Sequence, residues 1–102
     1  CNASSVAEFL KDRNRDISII CSGRLGEQVI EDNLCGEFIK HLLVSPSKTF
    51  RLSKEKIEEA CLVSPSYKML SSAGLEGDFE KCMSFDSHSL VPVLDGEAFI
   101  LL

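Results

Sequence analysis

A chain of 102 residues, of which 44% are hydrophobic and 26% charged, has the composition of a globular protein and the size of one domain. These values exclude a disordered chain and a fibrous repeat. The formal net charge of -5 argues against nonspecific binding to nucleic acid. No apolar run reaches the roughly 18 residues of a membrane span, so we predict a single domain over residues 1–102 with no nucleic-acid and no membrane partner.

The five cysteines form no C-x-x-C pair and lack the close spacing of a structural zinc site. Free thiols in apolar runs are typical of a reducing compartment, so we expect a cytoplasmic protein. The sequence starts at Cys1 rather than at a methionine and shows no signal-peptide pattern. From this start we expect the chain to be a piece of a longer protein.

The first predicted element is a helix that opens with the capping box Ser5–Glu8 and runs to about Lys11. A polar loop over residues 12–16 follows. The apolar, mostly β-branched segment Ile17–Cys21 then predicts a strand that is covered on both faces, as in a parallel sheet.

Three further helices and a short fourth are predicted after the next loop. An apolar stripe with helical spacing marks the longest; its members are Leu34, Cys35, Phe38, Ile39, Leu42 and Leu43. Ser53 has the flanking apolar residues of a helix cap, which predicts a helix through about Leu62. Ser64, followed by a proline, predicts another helix that stops at Gly74. A short helix over residues 79–82 comes last.

The end of the chain predicts a hairpin, with strands over residues 90–94 and 98–102 and a turn at Asp95-Gly96. Pro92 places the first of these strands at a sheet edge or at a strand start. We therefore predict an α/β fold: a helix-rich fragment with a small mixed sheet, formed by one buried strand plus the C-terminal hairpin. Because this sheet is thin for its helices, we expect it to be half of a larger α/β enzyme.

The loop after the predicted strand contains the candidate substrate-binding residues Ser22, Gly23, Arg24 and Gly26. Ligands of open α/β sheets bind beyond the carboxyl ends of strands, where glycines let the backbone approach an anion. Arg24 could donate a pair of hydrogen bonds to phosphate or sulfonate oxygens. The spacing matches neither the dinucleotide nor the P-loop pattern, and an ordinary strand-to-helix turn remains the alternative.

Two adjacent acids, Glu31 and Asp32, stand where the longest helix begins. The helix dipole accounts for one of them, since acids are stabilised at a helix start. Carboxylates also hold Mg²⁺ together with water and substrate phosphate, so both residues are candidate metal-binding and catalytic residues. Neighbours on a helix diverge by about 100°. We therefore expect one carboxylate to face the cleft and the other to cap the helix or orient Arg24.

Four stretches in this order resemble the C-terminal half of the 2-phosphosulfolactate phosphatase family: Asn2–Ala7, Ile19–Gly23, Ile30–Asp32 with Cys35-Gly36, and Leu90–Leu94. The resemblance implies a magnesium-dependent phosphohydrolase of coenzyme M biosynthesis. Its substrate would be a small phosphorylated acid, as in the conversion of 2-phospho-3-sulfolactate to 3-sulfolactate and phosphate. The cofactor implied is Mg²⁺.

The sequence departs from the family pattern in two ways. Ser22 and Cys35 stand where the family has alanine, which replaces one small side chain by another. The family's N-terminal half, with an aspartate-containing strand and a threonine-rich segment, has no counterpart here. The resemblance therefore implies that the N-terminal half of the same protein is a partner and completes the site.

Other candidate residues have simpler explanations. His41 has no adjacent acid in the sequence, no G-x-S-x-G nucleophile motif accompanies His88, and Cys21 lacks the C-x5-R loop of a thiol phosphatase. A second function remains open, namely a non-catalytic ligand-binding or assembly domain of a larger protein. The sequence leaves open whether the protein is a homo-oligomer.

Overall fold

The computed structural model describes residues 1–102 as five helices followed by a two-stranded antiparallel sheet. The elements are α1 (Ala3–Lys11), α2 (Ile30–Val44), α3 (Lys54–Leu62), α4 (Pro65–Ser72), α5 (Glu76–Cys82), β1 (Pro92–Asp95) and β2 (Ala98–Leu101). None of the helices is both long and apolar enough to cross a bilayer. The predicted helix-rich α/β class is confirmed.

Helix α2 is the centre of the packing, with α1 on one side and α3 on another. The core is small: Leu34 of α2 meets Ile57 and Cys61 of α3, with Phe50, Phe79 and Met83 packed around them. Only 7 of the 102 residues are buried, so much of the apolar surface stays in contact with solvent. Ile20, for example, is 89% exposed.

Two helix starts follow the local sequence closely. Ser53 Oγ accepts a hydrogen bond from the Lys56 amide at 3.3 Å, and α3 begins at the next residue. Ser64 Oγ accepts from the Tyr67 amide at 3.2 Å, and Pro65 takes the first position of α4. Both predicted caps are confirmed, because a serine before a helix satisfies an amide that has no partner within the helix.

The start of α1 differs from the prediction. The helix begins at Ala3, so Ser5 lies inside it and does not cap it. The amide of Ser4 instead donates to Asp86 Oδ1 at 2.8 Å, and the Ser4 hydroxyl donates to the other oxygen of the same carboxylate. Asn2 Nδ2 also donates to the Leu90 carbonyl at 2.8 Å. The first helix is therefore capped by an acid from the far end of the chain.

The predicted buried strand over Ile17–Cys21 is wrong for this chain. These residues lie in no strand, and their backbone makes no hydrogen bond to another backbone. A strand forms only beside a second extended backbone, and the two strands present pair with each other. The sheet is consequently antiparallel rather than mixed.

The C-terminal hairpin is confirmed, with its turn one residue later than predicted. Asp95 pairs with Ala98, so Gly96 and Glu97 form the loop. The φ of 63° at Gly96 requires glycine there and fits a type II′ turn, whose twist matches that of paired strands. Backbone bonds of 3.1 Å between Val91 and Leu102 extend the ladder.

We expect replacement of Ser64 by alanine to lower the free energy of unfolding by about 1–2 kcal/mol, because the Tyr67 amide then has no acceptor in a buried place. Urea denaturation followed by circular dichroism measures this change. Ser47→Ala, which alters an exposed loop hydroxyl, is the matched control and should change the value by less than about 0.5 kcal/mol. Equal stability of the two variants would contradict the cap.

Candidate functional site

A two-residue turn shapes the loop before α2. Arg24 and Glu27 exchange backbone hydrogen bonds of 2.8 and 2.9 Å. The two residues between them, Leu25 and Gly26, both have positive φ, at 51° and 80°. Positive φ at both central positions is the geometry of a type I′ turn, which folds the loop tightly back on itself.

The carboxylate of Asp32 fastens this loop to the first turn of α2. Asp32 Oδ2 accepts a hydrogen bond of 2.7 Å from the Gly23 amide and one of 3.2 Å from the Ser22 hydroxyl. Asp32 does not cap α2, because the cap position is Val29 and no side chain caps the helix. The structure thus brings together Ser22, Gly23 and Asp32 from the predicted site.

Gly23 has a structural reason to be glycine. Its φ is 68°, and a Cβ built there would lie 2.4 Å from the Glu27 carbonyl oxygen. A backbone atom at that distance must move, since a Cβ does not approach an atom of a distant residue so closely. The glycine therefore allows the loop to close, whether or not an anion binds nearby.

Several groups that we expect to bind an anion already make hydrogen bonds within the chain. The Gly23 amide bonds Asp32, and the Arg24 amide bonds Glu27. The Arg24 guanidinium reaches α4, where Nη2 lies 3.1 Å from Met69 Sδ. Thioether sulfur is a weak acceptor, so this guanidinium keeps most of its capacity to donate. Substrate binding by the four loop residues stays a prediction.

The Glu31 carboxylate makes no hydrogen bond to the loop. Its Oε2 atom is buried without a hydrogen-bond partner, beside a cavity of about 90 Å³. Four thiols and two larger apolar side chains line much of this cavity: Cys1, Cys35, Cys61, Cys82, Phe38 and Met83. The predicted divergence of the two acids is therefore what the structure shows, although Asp32 holds the loop instead of capping α2 or contacting Arg24.

The donor set around Glu31 is small. Asp86 also lines the cavity, but its carboxylate is engaged with Ser4 at the start of α1. No group of three or more His, Cys, Asp and Glu side chains is arranged to hold a metal ion. Within this chain Glu31 can thus supply one carboxylate ligand and no complete coordination shell.

The spacing of the cysteines in the sequence does not show that four of them line one cavity. Burial raises the pKa of Cys61, and the negative charge of Glu31 raises it further. Burial is also the main reason why the pKa of Cys35 is raised. The spacing of Glu31 and Cys35, four residues apart on one helix, was a signal that could have placed these two side chains together.

We expect the thiol of Cys61 to be alkylated last by iodoacetamide in the native protein. It is only 4% exposed, and its raised pKa keeps the reactive thiolate scarce until the pH exceeds the ordinary value for cysteine. Mass spectrometry at pH 8 measures the order, with the exposed Cys82 as the internal control. Alkylation of Cys61 as fast as Cys82 would show that the thiol is not buried.

A pair of alanine substitutions separates strain from collision in the loop. Gly26→Ala introduces a side chain at positive φ with open space around it and should cost about 1–2 kcal/mol of folding free energy. Gly23→Ala has the same strain and also meets the Glu27 carbonyl, so its cost should be clearly larger. Urea denaturation compares the two, and equal costs would contradict the loop geometry.

Comparison with known proteins identifies a family that matches this chain. The model of the 2-phosphosulpholactate phosphatase family matches residues 1–97. A probable 2-phosphosulfolactate phosphatase of Clostridium acetobutylicum is 29% identical over 89% of this chain and 44% of its own length. A protein of the same name from Clostridium botulinum is 27% identical over 99% of this chain and 48% of its own length.

No solved structure matches this chain. The chain spans about half the length of the curated relatives that it matches. The family model covers nearly all of the chain, and the matched region includes Ser22, Gly23, Glu31 and Asp32. The chain belongs to the 2-phosphosulpholactate phosphatase family.

Proposed function

We propose that this chain contributes part of the active site of a magnesium-dependent phosphatase that hydrolyses a small phosphate monoester. The substrate class is that of 2-phospho-3-sulfolactate, with 3-sulfolactate and phosphate as products. Family membership supports the reaction class. The single structural observation that carries the proposal is the buried, unpartnered carboxylate oxygen of Glu31.

A carboxylate oxygen that loses water without gaining a partner costs free energy. That cost is offset when a cation occupies the space beside it. Mg²⁺ is commonly held by one or two protein carboxylates while it keeps several waters, so the Glu31 carboxylate fits as one ligand. When bound, the ion would draw charge from the phosphoryl group and orient water. The remaining ligands would come from water, substrate and protein outside this chain.

The other residues take positioning and binding roles. Asp32 fixes the loop through Gly23, which keeps Arg24 near the start of α2. The Arg24 guanidinium would exchange the weak sulfur of Met69 for the phosphate or sulfonate oxygens of a substrate, which are far stronger acceptors. A cavity of about 90 Å³ holds an ion and a few waters rather than a phosphorylated acid. The substrate therefore lies outside this cavity.

A non-catalytic ligand-binding or assembly domain is the second candidate. The observation that favours it is the unpaired backbone of Ile17–Cys21, which is suited to association with another polypeptide. The two candidates differ in one assay. A catalytic protein releases phosphate from a panel of small phosphate monoesters in the presence of magnesium, and a pure assembly domain does not.

Amide substitutions in the full-length enzyme distinguish the two acids. Glu31→Gln should lower phosphate release about tenfold or more and raise the magnesium concentration needed for half-maximal activity, because the amide keeps the size and removes the charge. Asp32→Asn should leave the magnesium dependence unchanged and lower the free energy of unfolding by about 1 kcal/mol, since a charged acceptor becomes neutral.

The control is Glu59→Gln, which changes an exposed acid paired with Lys56. It should alter neither the magnesium dependence nor the free energy of unfolding. Unchanged magnesium dependence in Glu31→Gln would remove Glu31 from the metal site. Absence of phosphate release from every substrate tested with magnesium would remove the catalytic proposal altogether.

A further inference from the structure

Two segments that are distant in sequence meet at the side chain of Arg24. Its Nη2 atom donates a hydrogen bond of 3.1 Å to Met69 Sδ in α4. The Arg24 backbone is fixed by its bonds of 2.8 and 2.9 Å to Glu27, whereas its guanidinium forms no ion pair with a carboxylate. The position of this guanidinium therefore depends on one contact with α4.

The contact is weaker than an ion pair and stronger than an apolar contact. A carboxylate in place of Met69 would hold the guanidinium in a charge-assisted hydrogen bond, and an aliphatic side chain would offer it no acceptor. Thioether sulfur is a weak acceptor on a flexible, unbranched side chain. Met69 thus keeps the guanidinium beside the loop and still releases it to phosphate or sulfonate oxygens, which are stronger acceptors.

The thioether is also the part of this contact that an oxidant can change. Met69 is 49% exposed, so a small oxidant in solution reaches its sulfur. The second methionine, Met83, is half-buried and packs against the core around Leu34 and Ile57. A peroxide therefore has better access to Met69 than to Met83.

We propose that Met69 is a positioning residue for Arg24, and that oxidation of its thioether by a peroxide withdraws Arg24 from the substrate. The sulfur attacks one peroxide oxygen, so that an S–O bond forms and the O–O bond breaks. The leaving hydroxide takes the proton of the transferred oxygen and becomes water. The sulfur is oxidised to a sulfoxide, and the peroxide is reduced. This inference rests on the proposed function, because it takes Arg24 as a residue that binds the substrate.

The sulfoxide strengthens the hold of α4 on Arg24. Its oxygen is polar and accepts a charge-assisted hydrogen bond from the guanidinium, which the thioether sulfur does not match. A substrate must then displace this oxygen, so its apparent affinity falls. A saturating substrate still displaces it, and neither Glu31 nor Asp32 takes part in the contact. We therefore expect KM to rise and kcat to stay the same.

Steady-state kinetics of the full-length enzyme, before and after treatment with hydrogen peroxide, tests the proposal. KM for a small phosphate monoester should rise about tenfold and kcat should change less than about twofold, as expected when a hydrogen bond to a charged group must be displaced. Peptide mass spectrometry measures the sulfoxide at Met69. Complete oxidation of Met69 with an unchanged KM overturns the proposal.

Variants separate Met69 from the other side chains that peroxide oxidises. Met69→Leu has a similar volume and no acceptor, so its KM should not respond to peroxide, although its five cysteines are still open to oxidation. Met83→Leu is the matched control and should respond as the unchanged enzyme does. Met69→Gln carries a permanent amide oxygen and should raise KM without peroxide. An equal rise of KM in Met69→Leu assigns the effect to other residues and overturns the proposal.

A measurement without turnover keeps this inference distinct from the proposed function. In NMR spectra of the full-length protein, the guanidinium signal of Arg24, assigned with Arg24→Lys, should shift when Met69 is oxidised. The same signal should not shift in peroxide-treated Met69→Leu, and a signal that ignores the oxidation of Met69 contradicts the contact.

Absence of phosphate release from the untreated enzyme would overturn the proposed function alone. The affinity for inorganic phosphate, measured by calorimetry on the same protein, then takes the place of KM. Binding that weakens about tenfold on oxidation of Met69, but not in Met69→Leu, supports the positioning role. Equal affinity before and after oxidation overturns it.

Discussion

The hydrogen bond from the Gly23 amide to the Asp32 carboxylate, at 2.7 Å, is the constraint on which the arrangement of the site depends. It closes the loop on the first turn of α2. Because the loop is closed there, the preceding segment Ile17–Cys21 lies against α2, with Ile19 and Cys21 beside Gly36. Because of the helical period, the carboxylate of the adjacent Glu31 lies on another face of α2, beside the thiol-lined cavity. Asp32 is thus committed to the loop, whereas Glu31 keeps one carboxylate oxygen without a hydrogen-bond partner.

The fold could be predicted from the sequence wherever its cause is local. Ser53 and Ser64 cap their helices through amides three residues ahead, and the terminal hairpin follows from two apolar runs on either side of Asp95-Gly96. The cap of α1 could not be predicted, because its acceptor Asp86 lies 82 residues from Ser4. The strand over Ile17–Cys21 has the right composition, but strand formation needs a neighbouring backbone that this chain does not supply.

The candidate site could be predicted in its residue types and only partly in its arrangement. Helical geometry correctly separates Glu31 from Asp32. The bond from Asp32 to Gly23 depends on a turn with two positive φ values, one of them at Leu25, and side chains of that kind rarely indicate such a conformation. The gathering of cysteines around Glu31 joins helices distant in sequence. Periodicity within one helix shows only the Cys35 member of that group.

The most direct test of this account is the scalar coupling through the hydrogen bond between the Gly23 amide nitrogen and the side-chain carboxylate carbon of Asp32, measured by NMR on isotope-labelled protein. The account predicts a detectable coupling together with slow exchange of the Gly23 amide, because the carboxylate is committed to the loop. Absence of the coupling with rapid exchange of that amide would contradict it, since Asp32 would then be free and the division of roles between the two acids would be lost.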